Sequence, residues 1–86
     1  MLAKGQYVRH KMARETLIGT IEGAEVQCGR VFYRFQQDSR LRAPAAALLW
    51  ETSFLEDELE PCERPSDQYW ASINRRIEAS SRRIAA

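Results

Sequence analysis

The chain has 86 residues, 44% of them hydrophobic, with a formal net charge of +1. That is enough for one small domain with a modest core, and too ordinary a composition for a disordered chain. Two cysteines and one histidine exclude a disulfide scaffold and a convincing metal set, and no apolar run is long enough to span a membrane.

Taken in order, residues 5–11 (GQYVRHK) read as a first strand, with Val8 on one face and Tyr7 and Arg9 on the other. MARE turns the chain, and TLIGTIEG (16–23) reads as a second strand whose Gly19 marks a bulge or tight bend. A turn is expected over Ala24–Gly29. Arg30–Phe35 follows as the cleanest strand, placing Val31, Tyr33 and Phe35 on one face and Phe32 and Arg34 on the other. QQDS turns again, and Arg40–Ala43 reads as a fourth strand. Pro44–Leu48 reads as a short helical turn, and Leu49-Trp50 as the last strand. The expected fold class is therefore mainly β: a small five-stranded barrel over residues 1–50.

Residues 51–65 change texture. They are acidic and Pro-bounded, and read as a connector in which Phe54, Leu55 and Leu59 form a short helical turn docked on the barrel. Ser66 or Asp67 caps a terminal helix over 66–86 that carries Trp70, Ile73, Ile77 and Ile84 on one apolar stripe. Charge follows the same division. Residues 1–43 hold eight basic and four acidic groups, residues 51–67 one and seven, and residues 68–86 four and one. Eleven of the thirteen basic residues are Arg, a side chain suited to phosphate and to stacking, though also the ordinary cation of a GC-rich genome.

The stretch from Gly5 to Trp50 resembles the SH3-like barrel superfamily in its KOW, Tudor-like and related small bacterial or phage forms. The likeness rests on Gly5-Gln6-Tyr7-Val8-Arg9-His10, on Leu17-Ile18-Gly19-Thr20-Ile21, on Arg30–Phe35 and on Pro44–Leu48 as the helical turn before the last strand. A more distant likeness is to the plasmid-type dihydrofolate reductases, whose Val-Gln-Ile-Tyr strand builds the reacting pore. Here Arg40-Leu41-Arg42-Ala43 stands in that place, with Leu41 and Ala43 for the Gln and Tyr, so the resemblance implies fold and no reductase chemistry. A chain this short is expected to be a stand-alone accessory protein of a phage or plasmid system, or the N-terminal domain of a longer chain such as a helicase.

A barrel this small has no room for a substrate inside, so its work falls to its outer face. The expected function is a non-enzymatic, cytoplasmic binding module without cofactor or metal, with nucleic acid as the first partner class. Arg9, Lys11 and Arg14, Arg30 and Arg34, and Arg40 and Arg42 would supply the basic face, with Tyr7 and Phe32 as stacking rings. The competing reading makes those arginines a solvated surface and docks Phe54 or Trp70 over Phe32. The alternative function is a protein-interaction adaptor, in which Trp70, Ile73 and Ile77 with Arg75 and Arg76 meet a partner or pair in a homodimer. Catalysis is not expected: His10 has no evident partner, Cys28 lacks an activating neighbour beyond Arg30, and Glu56, Asp57 and Glu58 diverge rather than pair.

Overall fold

The computed structural model describes residues 2–42 and 53–85, the side chains of 81–85 excepted. Five antiparallel strands form a single sheet, followed by one helix. β1 is Tyr7–His10, β2 Ile18–Gln27, β3 Arg30–Gln37, β4 Ser53–Leu55 and β5 Leu59–Pro61. A 3-10 turn, Glu56–Glu58, joins β4 to β5, and α1 spans Asp67–Ala85. The sheet order is β4-β3-β2-β1-β5. It rolls into a barrel-like shape without closing, so the mainly β class with a terminal helix stands.

The roll starts at Gly19. A Cβ placed there would fall on the Gln36 carbonyl of the neighbouring strand, so only glycine lets β2 and β3 approach this closely. Between Ile21 and Gly23 the β2–β3 register shifts by a bulge, which bends the strand again. Beyond the bulge β2 continues to Gln27 and turns at Cys28-Gly29, both at positive φ (53° and 76°). That is the two-residue turn whose twist suits a hairpin, with glycine at its second position. The turn expected over Ala24–Gly29 is thus mostly strand.

Alternation then sorts the side chains. Val8, Ile21, Tyr33, Phe35 and Leu59 are buried together on the inner face, with Leu2, Leu17, Val31 and Phe54 packed around them. The outer face carries a second cluster, in which Ile18 and Leu41 meet Trp70 and Ile73 from α1, flanked by Tyr7, Cys62, Tyr69 and Ile77. Trp70 is 1% exposed and Ile73 3%. Trp70, Ile73 and Ile77 of the helix's apolar stripe therefore pack on the chain's own sheet, while the side chain of Ile84 lies outside the described residues. Ser66 caps α1 by accepting the Tyr69 N–H at 3.1 Å.

One expected strand is corrected. Among the described residues Arg40-Leu41-Arg42 pairs with no strand, because Asp38 turns the chain and captures Arg40 through both its backbone N–H (2.9 Å) and its guanidinium. Leu41 then points into the helix interface rather than along a ladder. The last two strands come instead from Ser53–Leu55 and Leu59–Pro61, inside the segment expected to be a connector, and the helical turn before the last strand is Glu56–Glu58. The barrel therefore extends past residue 50. Pro44–Leu48 and Leu49-Trp50 lie outside the described residues.

Candidate interaction surface

The basic residues singled out in the sequence do not form one uncompensated face. Arg9 and Arg14 lie on either side of Glu60 and both reach its Oε1, at 2.7 and 3.4 Å. The Arg9 hydrogen bond, assisted by the charge of Arg9 and Arg14, lowers the Glu60 pKa against a smaller effect of burial. Arg34 pairs with Glu25 across the β2–β3 hairpin (3.1 Å), and Arg42 with Glu78 on α1 (2.7 Å). Arg40 pairs with Asp38 (2.7 Å) and reaches Asp67 at the start of α1 (2.9 Å). Five of these seven cations thus face carboxylates of their own chain.

Asp38 is the anchor of this arrangement. It is buried, 7% exposed, at the end of β3. Burial acts to raise its pKa, but the hydrogen bonds from the Arg40 side chain and backbone and from the Tyr7 hydroxyl (3.0 Å) win and hold it at about 2. Tyr7 is thus tied to Asp38 through its hydroxyl and half-buried against the outer cluster. Asn74, also buried, clamps the same loop: its Oδ1 accepts the Arg42 N–H (3.0 Å) and its Nδ2 donates to the Arg40 carbonyl (2.8 Å).

Phe32 sits on the outer face, half-buried, opposite Glu25 on β2 and Leu55 on β4. Neither expected cover lies over it. Phe54 turns to the inner face, edge-on to Phe35 and His10, and Trp70 packs with Ile18 and Leu41.

Lys11 and Arg30 pair with no carboxylate among the described residues. They line the same open cleft of about 720 Å³, together with Val31, Leu55, Glu56 and Asp57. A second cleft, about 380 Å³, lies between β1 and α1 and is lined by Arg9, Arg14, Cys62 and Tyr69 among others. Burial raises both the Cys62 thiol and the Tyr69 phenol pKa, so neither is activated.

Of the residues expected to meet a partner from the helix, Trp70 and Ile73 are buried and Ile77 is half-buried against them. They serve the intramolecular interface. Arg75 is exposed, and Arg76 pairs with Glu15 at 3.2 Å. His10 packs on Phe54, accepts the Met12 N–H through Nδ1 and lies 3.6 Å from Glu58, a set of packing contacts. Among the described residues no group of three or more His, Cys, Asp or Glu could hold a metal, and no helix is long and apolar enough to cross a membrane.

Sequence reasoning missed Glu60 as the partner of two arginines, and it missed Val26. Val26 is 73% exposed in the middle of a regular hairpin. The pattern Ala24-Glu25-Val26-Gln27 alternates as a strand does, and that was the available signal. No family model, no curated protein and no solved structure matches this chain.

Proposed function

We propose that this chain is a small non-catalytic interaction module whose partner is a polypeptide, built on an SH3-like barrel. The fold reading is supported by the sheet order and by the 3-10 turn directly before the last strand, the feature the resemblance places there. The observation that carries the functional reading is the internal pairing of the basic face. A nucleic-acid surface draws its affinity from cations that neutralise phosphates and release counterions. Here Arg9, Arg14, Arg34, Arg40 and Arg42 already face carboxylates. A phosphate chain approaching them would meet the Glu60, Glu25 and Glu78 charges as well.

The surface that remains suits a protein. The cleft lined by Lys11 and Arg30 also carries Val31, Leu55, Glu56 and Asp57, so it presents cations, apolar side chains and carboxylates together, a mix that suits side chains of both signs. The nucleic-acid reading has one specific observation in its favour, the half-exposed Phe32 beside Arg34 on the outer face. Exposed ion pairs are worth little, so Arg34 can leave Glu25.

Titration of labelled single- and double-stranded DNA and RNA at about 50 and 200 mM salt separates the two. The polypeptide reading expects no saturable binding at the lower salt. Binding that weakens steeply with salt, with a shallower slope in Arg34→Ala, would overturn it in favour of nucleic acid.

A further inference from the structure

Besides the edge strands β4 and β5, the far half of β2 has an unpaired edge among the described residues. β1 pairs with β2 at Ile18–Thr20, and Gln6 and Gly5 bond to Ile21. Among the described residues nothing pairs with that edge from Gly23 to Gln27, while the other edge is fully occupied by β3. Ala24, Glu25, Val26 and Gln27 are all exposed. In a hairpin closed by a two-residue turn, the residues flanking the turn exchange both main-chain bonds, and the pattern alternates from there. Gln27 and Glu25 thus direct their N–H and C=O to β3, and Ala24 and Val26 direct theirs outward.

We propose that this edge receives an extended segment of the partner polypeptide as a further antiparallel strand, with a cation opposite Glu25 and apolar residues opposite Ala24 and Val26. The proposal rests on the polypeptide reading above and names its site. Strand addition uses main-chain bonds for affinity and alternate side chains for choice. Ala24 and Val26 share one face of the hairpin, where Val26 is 73% exposed and unsupported apart from its cross-strand neighbour Val31. An apolar side chain on the incoming strand would cover it. On the other face Glu25 projects beside Gln27, and Glu22 precedes the pair at the bulge; the Arg34 ion pair of Glu25 (3.1 Å) is solvent-exposed, so it is weak and leaves the carboxylate able to meet a second cation.

Charge decides between a foreign strand and a second copy. Two copies pairing antiparallel through Ala24 and Val26 would put Glu25 directly opposite its own duplicate. Like charges in that position destabilise a sheet. A lysine or arginine there converts the same contact into an attraction. The carboxylate therefore both guards the edge against self-pairing and selects a basic partner.

The test uses the whole 86-residue chain, labelled with ¹⁵N. Three probes are titrated: a blocked seven-residue peptide of alternating valine and lysine, the same peptide with glutamate for lysine, and the lysine peptide N-methylated at its valines. The lysine peptide should shift the Ala24 and Val26 amides and slow their hydrogen exchange. It should bind about fivefold tighter than the glutamate peptide, the scale of one cross-strand charge reversal. N-methylation should abolish binding, and Glu25→Gln should bring the two charged peptides close to parity. Equal binding of both charged peptides to the wild type overturns the proposal, as does self-association through Ala24 and Val26 without peptide, or the absence of any shift. Shifts confined to the Lys11, Arg30 and Leu55 cleft overturn the strand site and leave the polypeptide reading intact.

Discussion

Replacing Asp38 by asparagine should reveal how much of the fold depends on one buried carboxylate. Asp38 accepts from the Arg40 N–H, from the Arg40 guanidinium and from the Tyr7 hydroxyl, and Arg40 continues to Asp67 on α1. Its pKa falls from 3.8 to about 2 on folding. A carboxylate whose folded pKa is depressed adds stability above its unfolded pKa, and that stability is lost as pH falls through the folded value. Each unit is worth about 1.4 kcal/mol, so the whole contribution is about 2 kcal/mol at pH 7, and about half of it is gone by pH 3. Asparagine cannot be ionised, and its amide donors would face those of Arg40. At pH 7 the variant should therefore lose at least about 2 kcal/mol, or roughly 10 °C in melting temperature for a domain of this size. The assay is urea unfolding of wild type and Asp38→Asn at intervals from pH 7 to pH 2. Other carboxylates titrate equally in both proteins, so the difference between the two stability curves isolates Asp38. That difference should shrink as pH falls below 4. Parallel curves over the whole range would refute the reasoning.

Asn74→Ala strands the Arg42 N–H and the Arg40 carbonyl beneath the helix and should cost about 2–3 kcal/mol in chemical unfolding. Gly19→Ala should cost at least as much, since the new methyl overlaps the Gln36 carbonyl and the roll of the sheet must open; a variant as stable as wild type would place that bend elsewhere. Trp70→Ala should cost about 3–5 kcal/mol by emptying the outer cluster, read as lost near-ultraviolet dichroism and an earlier melt. The thiols should react with a disulfide reagent in two phases, fast at exposed Cys28 and slow at Cys62, where burial raises the pKa; Cys28→Ser should remove the fast phase alone.

Much of the architecture was legible where a periodic pattern runs long enough to be read. Val31, Tyr33 and Phe35 alternate over a full strand, and all three face the inner core. Ser66 followed by Trp70, Ile73 and Ile77 announces a capped helix with one buried stripe. The missed strands, Ser53–Leu55 and Leu59–Pro61, are three residues each, too short for alternation to speak, and acidic besides. Pro61 argued against a strand, yet it is tolerated at the end of β5 on the sheet edge. Arg40-Leu41-Arg42 alternates convincingly and is still not a strand, because a local carboxylate competes for its backbone. The arginine face was legible only as a list of cations. Apart from Asp38 beside Arg40 and Glu25 across the hairpin from Arg34, its counter-charges sit far along the chain, Glu60 for Arg9, Asp67 for Arg40 and Glu78 for Arg42, and no local pattern links such pairs.

Those distant pairs also explain why the charge segments alternate in sign along the chain. The acidic stretch supplies Glu60 and the start of α1 supplies Asp67, both as counter-charges to arginines from the first half of the sequence. Leu59 and Phe54, between and before the acidic residues, pack into the inner core, so the segment is held against the sheet it neutralises. The helix then takes the outer face around Tyr7 and Ile18. On the polypeptide reading proposed above, the surface left for a partner is the hairpin end, where Val26 is exposed, Lys11 and Arg30 border the open cleft, and β2 outruns β1. An uncompensated basic face would attract polyanions in general; on the proposed reading, its neutralisation from within leaves a partner to be held by short-range main-chain and apolar contacts, which suit an extended peptide strand better than a phosphate chain.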